Sequence, residues 1–292
     1  MSEEYAAVMA AARKSKMITE QQILEFAASK SIEDFLNKIR NFYSVPAEVS
    51  ISRAEEELVK NFYKEVEEFI KILPKKEKLL KLIAREFEEE KIARELIRLK
   101  EKGQEYLEFI NKIRGMGFHE EILEIEKIIE YGIPGLVNSI FSKHRILKMI
   151  EELKDYKALI PFISLKVDEH NIITMLRGLK NNIRKDLLEG LIVDGGTIDK
   201  KRISEAIKAK SFDETISLLN LRYQRDLRDI ERDFEKRMRK ILLKAYYMGY
   251  GGLEAAISYI ELKKIEIKNI IRILNSVALN IEPKVAIQEY FI

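Results

Sequence analysis

The strongest constraint on this chain is an internal duplication. The stretch VDEHNIITMLRGLKNNI, residues 167–183, returns near the C-terminus: Asn171, Ile172, Ile173, Leu176, Asn182 and Ile183 reappear as Asn269, Ile270, Ile271, Leu274, Asn280 and Ile281, each 98 residues later. An acid stands three residues ahead of the first Asn each time, Asp168 and Glu266. Six identities and a matched charge at one constant offset mark a repeated structural unit, which points to a scaffold rather than a catalyst. A second repeat runs at an offset of 180. EFAASKSIEDFLNKI from Glu25 and EAIKAKSFDETISLL from Glu205 pair Glu25 with Glu205, Ser31 with Ser211, Glu33 with Asp213 and, further on, Tyr43 with Tyr223. A decayed first copy of the Asn motif falls at 87–103, where Ile92 and Leu96 are kept and Lys91 stands in the place of Asn. The expectation is three helical repeats, over residues 1–103, 104–196 and 197–292.

Composition limits the partners. With 292 residues, 46% hydrophobic and 35% charged, the chain can fill a core and still cover itself with charge. Its 52 basic and 49 acidic residues leave a net charge of +3, so charge alone gives no reason to expect nucleic acid. There is no Cys, which excludes disulfides, thiolate nucleophiles and Cys-ligated zinc. The opening MSEEYAAVMAAARKSK has acids where a secretory signal carries bases, and no apolar run approaches 18 residues, so a soluble protein that neither spans a membrane nor is exported is expected.

Nearly every long segment carries the helical period of 3.6 residues. Thr19 with Gln22, Ser31 with Asp34, Ser52 with Glu55 and Ser211 with Glu214 read as helix starts. Leu58, Phe62, Val66, Phe69, Ile70 and Leu73 form a one-sided stripe ended by Pro74, which in turn opens a helix running towards Gly103. LIVDGGTI, residues 191–198, reads as a short extended piece and a tight turn at Gly195 and Gly196. The longest helix is expected from Arg222 to Tyr247, with Leu227, Ile230, Phe234, Met238, Ile241 and Ala245 on one side. A last helix follows over 253–279, and 284–292 reads as helix or strand.

A search for chemistry finds little. His119, His144 and His170 lie far apart and none has metal-ligand spacing. Asp168, Glu169 and His170 are neighbours, but adjacent residues on a helix point about 100° apart, so they read as solvated charges at a helix end. GYGG at Gly249 lacks the GK[ST] of a phosphate loop and reads as a helix break. The basic run from Arg222 to Lys240 is interleaved with Asp226, Asp229, Glu231, Asp233 and Glu235 and reads as a solvated helix face. Asn171 and Asn269 are polar residues in apolar helical text. They are either buried amides bonded to backbone at a helix junction or partner contacts on the wall of a lobed body.

FISLKVDEHNIITMLRGLKNN, then LLEGLIVDGGTIDKKRISEAIKAKSFDETISLL, then GGLEAAISYIELKKIEIKNIIRIL resembles the C subunit of archaeal A-type ATP synthases, which corresponds to the d subunit of vacuolar-type rotary ATPases. YAAVMAAARKSKMITEQQILEFAASKSIEDFLNKI is similar to the start of the same family. The resemblance places the family's pattern on Asp168, Asn171, Leu176 and Arg177, and its terminal version on Glu266, Asn269 and Arg272. It implies an all-α protein of three similar lobes in a funnel with approximate threefold symmetry, peripheral to the membrane on its cytoplasmic face. Its implied partners are the ring of proteolipid subunits and the central-shaft subunits D and F. The implied role is a non-catalytic rotor adaptor in ATP synthesis or hydrolysis linked to proton or sodium transport, with no cofactor, no metal and no nucleic acid. The alternative is a helical scaffold for another coiled coil or for RNA.

Overall fold

The computed structural model describes residues 3–46, 49–209, 211–221, 227–248, 251–283 and 285. Its helices, in order, are α1 (Glu3–Lys14), α2 (Glu20–Ala27), α3 (Ile32–Ile39), α4 (Ile51–Ile72), α5 (Glu77–Ala84), α6 (Glu86–Leu99), α7 (Gln104–Gly115), α8 (His119–Ile125), α9 (Pro134–Leu153), α10 (Ile160–Lys180), α11 (Lys185–Leu191), α12 (Lys200–Lys208), α13 (Phe212–Leu218), α14 (Leu227–Met248) and α15 (Gly252–Ala278). No strand occurs among the described residues. The all-α class expected from the periodicity is what the chain adopts.

Side chains at the boundaries account for where several helices start and stop. The Thr19 hydroxyl accepts from the Gln22 backbone N–H while the Gln22 side chain accepts from Thr19 N–H, a closed capping box ahead of α2. Ser31 and Ser211 cap α3 and α13 by accepting from Asp34 and Glu214 N–H, each at 3.1 Å. The cap of α4 is Ser50, two residues before the Ser expected, because its hydroxyl faces Arg53 N–H. The helix expected to run from Pro74 is divided: Pro74 opens a 3-10 turn over Pro74–Lys76, and α5 and α6 meet at Arg85. Of the short extended piece expected at 191–193, Leu191 instead closes α11 and Ile192 is extended, and no strand forms there. The 284–292 segment lies outside the described residues, Val285 excepted.

Contacts divide the chain into two compact units. The first gathers residues 1–84, 156–159 and 232–292 and is organised around α15. Every residue of α15 from Gly252 to Lys264 is buried, because α1, α2, α3, α4 and α5 all pack on it. α1 lies close to it through the fully buried Ala6 and Ala10, opposite a helix start that offers Gly252, Ala255 and Ala256. A Cβ added at Gly252 would run into the backbone of Glu3, so only glycine admits that approach. α4 contributes Ala54, Leu58, Phe62, Val66 and Phe69, the last with its ring centroid 5.6 Å from that of Tyr259.

The second unit comprises residues 85–155 and 160–231 and has the α9–α10 pair at its centre. α6 and α8 pack on α9, while α11, α12 and α13 pack on α10. The Glu89 carboxylate is fully buried there between α6 and α9 and accepts from Arg85 Nε at 2.6 Å and from the Arg145 guanidinium. Burial raises its pKa despite both cations, so the cost of desolvating the carboxylate opposes the attraction of Arg85 and Arg145.

Both repeats are visible as structure. At the 180 offset, caps match caps, Thr19 with Asp199 and Ser31 with Ser211, and buried positions match buried positions, Ile23 with Ile203, Ala27 with Ile207 and Ile39 with Leu219. Ala54, Leu58 and Phe62 of α4 likewise match the buried Phe234, Met238 and Leu242 of α14. It is Leu242, not the expected Ile241, that lies in the stripe. At the 98 offset, Asn182 and Asn280 take left-handed φ values of 53° and 52°, and the following Ile183 and Ile281 N–H groups each reach back 2.9 Å to the carbonyls of Gly178 and Ser276. These are matching helix ends, the same cap closing α10 and α15. At the expected first copy the two kept residues, Ile92 and Leu96, are buried on α6 along with Glu86, Phe87, Glu89, Ala93 and Leu99, whereas Lys91 and Glu88 are exposed.

Candidate functional site

The residues carried by the repeated motif sit on the two most buried helices, one in each unit. On α10, Asp168 and Asn171 both turn towards residues 193–198. The Asn171 amide grips a single residue from both sides: its Nδ2 donates to the Val193 carbonyl at 2.8 Å and its Oδ1 accepts from Val193 N–H at 2.8 Å. The Asp168 carboxylate is wrapped by the turn that follows, accepting from Thr197 N–H and Ile198 N–H, each at 3.1 Å, and from the Thr197 hydroxyl. Gly196 makes this possible, since a Cβ there would run into the Asp168 carboxylate. His170 donates from Nε2 to the Leu191 carbonyl at 2.9 Å. Burial pulls its pKa down to about 4. The expectation of solvated charges at a helix end fails for Asp168 and His170; both are buried, because 168–170 lie in the middle of α10 under residues 191–198.

On α15, Glu266 does corresponding work with a longer arm. Its Oε2 accepts from Ile18 N–H at 2.8 Å, and its Oε1 accepts from Lys263 Nζ at 2.7 Å and from the Tyr43 hydroxyl. Burial first, then the neighbouring Glu266 carboxylate, raises the Tyr43 pKa well above its usual value, so Tyr43 stays a donor. Lys263 lies 4.6 Å above the Tyr43 ring and 3.7 Å from Glu65, which also receives the Tyr259 hydroxyl and Arg13. Asn269 takes a different course from Asn171, accepting at Oδ1 from Arg272 at 3.1 Å.

The two arginines of the motif turn to α14. Arg177 donates to Glu231 at 2.6 Å, with the Gly135 carbonyl 3.4 Å away, and Arg272 donates to Glu235 at 2.7 Å. All four side chains are partly exposed, so each pair contributes a few tenths to about 1 kcal/mol. Thus Asp168 and Asn171 share one stretch of backbone, Glu266 meets the chain ahead of α2, and Arg177 and Arg272 anchor α14.

Sequence reasoning missed the buried charges. It does not single out Lys263, Lys264 and Glu261 in ELKKIE, or Glu89 with Arg145, yet all are buried; Lys264 donates to Glu261 at 2.8 Å and to the Ile83 carbonyl at 3.1 Å. The available signal was the opening GLEAAISYI of α15, residues 252–260, in which Glu254 is the sole charge, so that its first turns offer almost no solvent face. The glycines before α15 close its N-terminus without a ligand: Gly251 N–H donates to Glu254, and the Glu3 carboxylate lies alongside. His144 is tied to α8 through Glu124 at 3.0 Å. Burial would raise the Glu124 pKa, but hydrogen bonds from His144 and Lys143 prevail and hold it at about 2. Among the described residues no group of His, Asp and Glu is placed to hold a metal ion, and no helix is long and apolar enough to cross a membrane. Of the basic run, Arg222 and Arg225 lie outside the described residues.

The chain is thus a duplicated helical body whose motif residues Asp168 and Asn171 on α10 and Glu266 on α15 bind its own backbone. The model of the ATP synthase (C/AC39) subunit family matches residues 141–289, and the chain belongs to that family. It is 22% identical to the C subunit of the A-type ATP synthase of Thermococcus kodakarensis, over 94% of this chain and 86% of that one. The C subunit of the Pyrococcus furiosus A-type ATP synthase is 21% identical with the same coverage, and that of Desulfurococcus sp. is 22% identical over 77% of this chain and 70% of its own. The protein is therefore a subunit of the rotary ATP synthase class.

Proposed function

We propose that this subunit is the rotor adaptor of an A- or V-type rotary ATPase. It links the membrane ring of proteolipid subunits to the central-shaft subunits D and F, peripheral to the membrane on its cytoplasmic face, and is itself non-catalytic. The observation that carries the reading is the family match over the second half of the chain, which contains both copies of the Asn motif. In support, the motif residues are engaged in hydrogen bonds within the chain, as a part that bears load requires. Each charge crossing 100 mV releases about 2.3 kcal/mol, and several such steps accumulate per ATP, so the adaptor must hold against a load on the order of 10 kcal/mol.

On this reading Asp168, Asn171, Glu266 and Asn269 position helices, Arg177 and Arg272 anchor α14, and the ring and shaft are met by other surfaces. The proposal includes three lobes, over 1–103, 104–196 and 197–292, in a funnel. The burial of Ile92 and Leu96 on α6 supports the first of these, and the matched motifs of α10 and α15 support the other two. The test is a pull-down of the full chain with detergent-extracted proteolipid ring and with purified D–F shaft. Capture of both is expected; failure to bind either overturns the adaptor.

A further inference from the structure

The two acids that head the repeated motif receive corresponding backbone donors. Asp168 Oδ1 accepts from Ile198 N–H and Glu266 Oε2 from Ile18 N–H. Ile198 follows Ile18 by 180 residues, the offset of the other repeat, although the acids themselves are 98 residues apart. Each N–H belongs to the residue just ahead of the N-cap of a helical hairpin, Thr19 before α2–α3 and Asp199 before α12–α13. Everything that fastens α2–α3 to α15, or α12–α13 to α10, is noncovalent.

The copies reach this contact with acids of different length, and the backbone explains why. At Gly196 the chain comes so close to Asp168 that a Cβ would collide with the carboxylate, and the φ of Gly196 is one any residue can adopt, so contact alone demands glycine. At the corresponding place in the first hairpin stands Lys16, which carries a Cβ, and the acid there is Glu266, longer by one methylene.

We propose that these two carboxylates are latches. Each holds its own hairpin on its own helix, and the length of the acid is matched to the residue two positions ahead of the latched N–H: Asp with Gly, Glu with a residue bearing a side chain. The hairpins, 18–43 and 198–219, therefore release separately, as two local opening units within the folded chain. This inference requires no partner and stands apart from the rotor reading.

Hydrogen exchange followed by mass spectrometry on the full chain tests it. Gly196→Ala should speed exchange in 198–219 tenfold or more and leave 18–43 unchanged; adding Asp168→Glu should bring the rate back to within about threefold of the parent. Glu266→Asp should speed exchange in 18–43 alone, and adding Lys16→Gly should slow it again. If neither second substitution slows exchange, the matching of length to backbone is overturned. If either first substitution loosens both hairpins alike, separate latches are overturned. Should Gly196→Ala fail to fold, the Glu266→Asp pair carries the test by itself.

Discussion

At the scale of single residues, the buried amide of Asn171 replaces backbone pairing that residues 191–198 cannot find elsewhere. Asn171→Ala would leave the Val193 N–H and carbonyl without partners in the interior, at about 1 to 3 kcal/mol each. Urea denaturation should register a loss of roughly 2 to 5 kcal/mol, while the Asn171→Gln variant, which keeps both groups on a longer stem, should fall between. His170 gives the fold a pH dependence whose sign is fixed by geometry. Its folded pKa of about 4 lies below the ordinary imidazole value, because burial disfavours the cation. Its neutral form is thus fully compatible with folding above about pH 6.5, and stability is lost as pH falls from there towards 4, by up to about 3 kcal/mol. The difference between urea midpoints at pH 7 and pH 5 should shrink in His170→Gln, whose amide can still donate to Leu191.

At the scale of elements, the repeated Asn182–Ile183 and Asn280–Ile281 pairs are helix stops. Their position at the end of the motif follows from αL geometry, which Asn tolerates and Ala does not. Asn182→Ala should cost about 1 kcal/mol and Asn182→Gly close to nothing, by thermal melting, with Asn280 behaving alike. Helix periods, caps at Thr19, Ser31 and Ser211, and both repeat offsets are legible in the sequence because they depend on neighbours three or four residues away or on matched text. What is not legible depends on packing. Whether Asp168 is solvated, or ELKKIE buried, is decided by segments distant along the chain, and a charged letter reads the same in either place. Ser50 and Ser52 both offer a hydroxyl at the right distance from a helix, and only the backbone direction separates them. For the candidate site, repetition points to Asp168, Asn171, Glu266 and Asn269, and the family resemblance to Arg177 and Arg272; Tyr43 shows only as a repeat match and Gly196 only as a turn, and Lys263, which also completes the site, has no signature of its own.

At the scale of the whole molecule, the first unit is made from distant parts of the chain: α1 to α5 enclose α15. The seat of α1 on Gly252 leaves no room for a side chain, and Gly252→Val should push α1 outward. Amide protection in residues 3–14 should fall sharply in that variant, while protection in α9 and α10 persists; uniform loss across the chain would refute this placement.

That enclosure has a consequence during synthesis. Phe26 and Phe35 leave the ribosome more than 200 residues before α15, the helix they will cover. At about 5 to 20 residues per second, they wait on the order of 10 to 40 s without α15, with each other and Phe42 as their ring partners. The stretch 85–231 can condense in that interval, and the earliest helices made are among the last to find their place, which makes them natural clients for chaperones.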